Sequence, residues 1–154
     1  MSPARTWSHE RPATLAGYLE AMSRPVFMTG MSWSVVEAKW DGISDAFLGF
    51  DPERVAHLTP ADVDRLAGDP RVIRNRKKIE AIVTNAERMI ELDREPGGFE
   101  GYLATRGSFE ETVAALRADF RFLGESGAYI FLYAVDQPVP SHEEWARTHA
   151  RRAS

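Results

Sequence analysis

Four short stretches of this 154-residue sequence carry residue types able to do chemistry. The first is Gly30-Met31-Ser32-Trp33, a loop entering a helix that begins with an indole. Indole faces bind planar rings and cations, which makes Trp33 a candidate stacking platform flanked by Gly30 and Met31. The plainer reading is a core tryptophan at a helix start. The second stretch, Asp69 to Ile79, sets Arg71, Arg74, Arg76, Lys77 and Lys78 within eight residues. Cations at a helix N-terminus oppose its macrodipole, so a basic first turn points to an outside anion such as phosphate. A solvated helix start would look the same. The third is Phe122-Leu123-Gly124-Glu125-Ser126-Gly127. Its glycines would let backbone amides approach a phosphate, and the following helix N-terminus adds partial positive charge; Glu125 would repel that phosphate if it faced outward. The fourth is the set His9, His57, His142 and His149. Only His142 and His149 share a helical face, with no carboxylate or cysteine to join them, so no metal site is expected. No nucleophile elbow, Walker loop or Asp-rich calcium loop is present, and no cofactor is expected.

The elements that must hold these stretches read as helices throughout. No period-two pattern persists, while helical spacing and helix-start signals recur. A first helix is expected over residues 13–23, with Leu15, Leu19 and Met22 on one face and Pro25 ending it. The Met-rich link Val26–Met31 leads to Ser32, an N-cap for a second helix with Trp33, Val36, Trp40 and Phe47 inward. Asp51-Pro52 and Thr59-Pro60 open two short helices ending near Leu58 and Gly68. A long amphipathic helix follows over 75–92, with Ile79, Ile82, Val83, Ala86 and Ile90 as its stripe, and Glu95-Pro96-Gly97-Gly98 breaks it. Ser108 and Ser141 each begin a capping-box spacing. Between them lie a tight turn and an apolar helix, 125–135, expected to be the most buried element.

Composition bounds the function. At 44% hydrophobic residues the chain can bury one core, expected as a single domain over 13–152 behind a flexible 1–12. No apolar run approaches the ~18 residues of a membrane span, and the first ten residues lack an apolar signal core. The absence of cysteine excludes disulfides, thiolate zinc and cysteine nucleophiles, and makes a cytoplasmic location the expectation. A formal charge of -4 gives no global pull toward nucleic acid, so a DNA partner would have to meet a local basic surface.

Taken together, these stretches resemble the DNA-3-methyladenine glycosylase I family. Gly30-Met31-Ser32-Trp33 is similar to its Gly-Leu-Ser-Trp signature, and Phe47 to Val55 matches its Phe-x-x-Phe-Asp-Pro-x-x-Val stretch. Residues Ile73 to Ile82 with Asn85-Ala86 follow its Arg-(Asn/His)-Arg-x-Lys-Ile segment, and Leu116 to Gly124 is similar to the run ending Gly-Phe-Lys-Phe-Val-Gly. The resemblance spans residues 27–142. It implies an all-α, helix-hairpin-helix bundle that binds double-stranded DNA as a monomer, flips out a base and hydrolyses alkylated purines such as 3-methyladenine in base excision repair. Trp33 would stack on the base beside Gly30 and Met31. The backbone would be held by Gly124, Ser126 and Gly127 with Arg74, Arg76, Lys77 and Lys78.

The chain also departs from the family. The family's base-contacting glutamate falls on Pro25, leaving Glu20 and Glu37 as candidate catalytic carboxylates. Of the family's zinc ligands only His142 matches, the N-terminal aromatic motif is not recognisable, and Pro140 stands where wider helix-hairpin-helix glycosylases keep a relay aspartate. Two alternatives follow: an inactive member that binds DNA, or a scaffold whose Met-rich 26–31 stretch contacts a protein.

Overall fold

The computed structural model describes the backbone of residues 10–153 and the side chains of 10–147; His9 and the side chain of His149 lie outside the described residues. Among the described residues nine α-helices follow one another: α1 (Leu15–Met28), α2 (Trp33–Ala46), α3 (Pro52–Ala56), α4 (Pro60–Ala67), α5 (Arg76–Asp93), α6 (Gly98–Ala104), α7 (Phe109–Asp119), α8 (Glu125–Ala134) and α9 (His142–Ala153). The described residues contain no strand. No helix among them is long and apolar enough to cross a membrane.

Most helices begin where a short polar side chain meets orphan amides. Ser32 Oγ accepts from the Val35 amide at 3.3 Å, and Asn75 Oδ1 accepts from the Lys78 amide at 3.1 Å. Thr59 and Asp62 form a reciprocal capping box with Pro60 at the first helical position. Ser108 and Ser141 cap α7 and α9 by accepting from the Glu111 and Glu144 amides.

Pro25 does not end the first helix. It lies inside α1, which runs on to Met28. The ring removes one backbone bond and disfavours the turn before it. The turn that Pro25 enters carries Met22, Val26 and Phe27, each with no accessible surface. Burying such side chains contributes about 1.5–3 kcal/mol apiece, enough to outweigh one lost bond. Ser23 Oγ and Thr29 Oγ1 also donate to the carbonyls of Leu19 and Pro25, tying this stretch together.

α5 is the spine. It packs against α1, α3, α4 and α6, while α1 also packs on α8 and α7 on α8. Phe27, Phe47, Phe50, Phe99 and Phe131 are fully buried in the core. α2 passes to α3 through a 3-10 turn, Leu48–Phe50, in which three successive residues take positive φ (60°, 69° and 59°). For the two non-glycine residues this costs roughly 1–2 kcal/mol each. Phe50 offsets the cost by stacking between Phe47 (5.5 Å) and Trp40 (5.4 Å).

Candidate nucleic-acid interface

The α7–α8 turn and the end of α1 face one another across an open groove of about 880 Å³. Pro25, Met28 and Thr29 form one wall; Phe122 to Gly127 form the other. Two sequence stretches nearly a hundred residues apart are thereby brought together. Gly127 shows how closely: a β-carbon there would lie 3.1 Å from Leu123 Cδ1 and 3.4 Å from Pro25 Cβ. Gly124 is the opposite case, with open space where its β-carbon would be. It occupies the N-cap position of α8 without a side chain to cover the first amides. Phe122, before it, is 43% exposed and holds φ +57°. Glu125, a source of repulsion for phosphate, has Arg117 Nη1 3.3 Å from its Oε1, which moderates its charge.

Both walls are held by α5. Asn85, fully buried, donates from Nδ2 to the Arg121 carbonyl at 3.2 Å and accepts the Arg121 amide on Oδ1 at 2.8 Å. That pair of hydrogen bonds to one residue fixes the start of the turn. Lys78 is 4% exposed, and its Nζ donates to the carbonyls of Phe27 (3.0 Å) and Thr29. Burial holds the Lys78 amine below its usual range. The C-terminus of α1 supplies the carbonyl oxygens and favourable dipole that keep a cation there tolerable. Lys78 was expected on the phosphate, but its ammonium points inward and is engaged with main chain.

The rest of the basic cluster divides similarly. Arg71 is bound to Asp69, through its amide at 2.8 Å and its guanidinium at 2.7 Å, and holds that carboxyl down at about 2. Arg76 pairs with Asp64 and with Glu80. Arg74 and Lys77 are exposed beside them. The local positive surface is thus narrower than five basic residues suggest.

Glu20 and Glu37 converge on one guanidinium. Arg24 lies 3.8 Å from Glu20 and 3.6 Å from Glu37, with its Cζ 4.8 Å from the Trp40 ring centroid. Trp40 Nε1 in turn donates to Glu20 at 2.9 Å. Burial lowers the Arg24 pKa, while both glutamates oppose that shift. The two candidate carboxylates therefore share a single cation, which leaves the group with net negative charge. Trp33 opens α2 and is half-buried, with Met31 and Val35 exposed to either side. It is not among the residues lining the groove.

His142 is the one residue matching the zinc ligands implied by the resemblance. Its ring packs against Trp145 and Tyr129, which themselves lie 4.7 Å apart. No group of three or more metal-ligating side chains gathers among the described residues, so these residues do not fit a zinc site. Sequence reasoning missed the positions of Arg24, Lys78 and Asn85. The signal available for the last two was a polar residue on the buried face of α5.

Known proteins resemble this chain in sequence and in fold. A family model described as methyladenine glycosylase matches residues 7–118. The DNA-3-methyladenine glycosylase of Haemophilus influenzae is 27% identical over 127 residues, covering 69% of this chain and 69% of its own. DNA-3-methyladenine glycosylase 1 of Escherichia coli is 28% identical over 126 residues, covering 68% and 67%. A solved structure of 3-methyladenine DNA glycosylase I from Staphylococcus aureus, described as giving the basis of 3-methyladenine recognition, superposes with a TM-score of 0.72 at 25% identity. That match covers 85% of this chain and 80% of the other.

Proposed function

Because the chain belongs to the methyladenine glycosylase family, we propose that it is a DNA N-glycosylase that removes alkylated purines such as 3-methyladenine. The observation that supports this most directly is the shared groove, in which the amide-rich start of α8 faces the end of α1 that leads into Gly30-Met31. A phosphate taken by the turn would sit beside the loop that meets the vacated stack. In this reading Gly124, Ser126 and Gly127 hold the backbone, with Arg74 and Lys77 as exposed cations.

The reaction adds water to C1′ of the sugar as the base leaves with the bonding electrons, and the spare proton passes to solvent. A 3-alkylated adenine is cationic and departs neutral, which lowers the demand for a strong acid or base once the nucleotide is extruded. Glu20 and Glu37, with Arg24 between them, are the candidate carboxylates of this reading. Trp33, stacked on the cationic base, would contribute about 1–2 kcal/mol, worth roughly tenfold in rate if realised in the transition state. The protein acts as a cytoplasmic monomer in this proposal.

Methylated duplex DNA incubated with excess enzyme should release free 3-methyladenine in a single-turnover time course, measured by chromatography of the liberated base. Trp33→Ala should slow release about tenfold. Absence of free base in the chromatogram at high enzyme excess rejects the proposal.

A further inference from the structure

We infer that Lys78 and Asn85 are positioning residues that set the two walls of the groove independently, Lys78 the loop that meets the base and Asn85 the turn that meets the backbone. The inference rests on the glycosylase reading and adds to it. The two residues are seven apart on α5, close to two full turns, so they project from one face about 10 Å apart along the axis. Each holds main chain rather than side chain: Lys78 the carbonyls of Phe27 and Thr29, Asn85 both backbone groups of Arg121. Main-chain anchoring of this kind constrains where a loop lies without contributing a ligand-facing group.

The choice of residue supports a positioning role. An ammonium that is almost wholly buried is costly to desolvate, and apolar side chains of similar volume usually serve stability as well or better. Lys78 instead completes the carbonyl end of α1, from which Gly30-Met31 departs, and the Met31 amide bonds to Met28 O at 2.9 Å within the same turn. Asn85 satisfies the amide and the carbonyl of a residue three before Gly124, where the turn would otherwise leave both unpaired. Neither residue reaches DNA in this arrangement, and each acts on a different wall.

The test separates chemistry from grip. Lys78→Met should speed hydrogen exchange at the Met31 amide and lower single-turnover base release by about tenfold or more. Its affinity for undamaged duplex should stay within about twofold of wild type. Lys78→Arg, which keeps the donors, should recover most of the rate. Asn85→Asp keeps the acceptor and loses the donor; it should speed exchange at Arg121 and weaken duplex binding about tenfold, with release at saturating DNA largely retained. Losses of rate and affinity that move together in both variants, in step with melting temperature, overturn the inference. So does exchange that rises everywhere or at neither loop. Should the wild-type protein release no base, the exchange and affinity measurements still decide the Asn85 half, and the failure then lies with the glycosylase reading.

Discussion

The two walls of the groove are built from different materials. On the α7–α8 side the groove meets uncovered main-chain amides, glycines and one exposed ring, with Ser126 and the Arg117–Glu125 pair beside them, and the anchor beneath is a neutral amide. On the α1–α2 side the outward groups are side chains, the anchor is a buried cation, and the nearby Glu20 and Glu37 share Arg24. A backbone surface suits a ligand that repeats along every nucleotide. A side-chain surface suits a target that must be told apart from its neighbours. The difference says which wall should govern affinity and which should govern discrimination.

The comparison can be broken most forcefully at Gly127, where the walls touch. Gly127→Val would push extra methyls against Leu123 and Pro25, costing about 1–3 kcal/mol in stability and separating turn from helix. Duplex affinity, read by fluorescence anisotropy, should fall at least tenfold or so. Gly124→Ala sharpens the point, since its β-carbon meets nothing. Melting should change by no more than about 0.5 kcal/mol while affinity drops, because the new methyl stands over the amides. A Gly124→Ala protein that binds DNA like wild type would show that the first amides of α8 do not grip the backbone.

On the other wall, Arg24→Met leaves Glu20 and Glu37 without their shared cation and Trp40 without its guanidinium. The loss should be about 1–3 kcal/mol, or several degrees of melting temperature, with duplex affinity nearly unchanged. The smallest effect concerns Asp69. Arg71 depresses its folded pKa from 3.8 to about 2. Its contribution is therefore fully present above pH 3.8 and is lost as pH falls through 2. A carboxyl carbon titration by NMR should place Asp69 near 2, and Arg71→Ala should return it toward the ordinary range. An Asp69 that titrates normally in the wild-type protein removes that pair.

Much of the helical frame could be read in one dimension because a cap is a local bond. Ser32, Asp51-Pro52, Thr59-Pro60, Asn75, Ser108 and Ser141 all begin helices within a residue of where their spacing places them. The failures have long-range causes. Pro25 stays helical because Met22, Val26 and Phe27 are buried by partners elsewhere in the chain. The short helix α6 starts from Gly97 at φ +86°, a left-handed entry that reads simply as a breaker. Lys78 finds its acceptors 49 and 51 positions away and Asn85 its partner 36 away, so their inward direction is invisible to a count of neighbouring charges. The site was visible as candidate stretches, and not as a division between grip and discrimination.

Phe122 is kept on the rim with a backbone geometry that glycine would take more cheaply, at a cost of roughly 1–2 kcal/mol. Hardening this protein against heat would lead naturally to that position, and the sturdier molecule would give up an aromatic face at the mouth of the groove. Thermal robustness and hold on the double helix pull there in opposite directions.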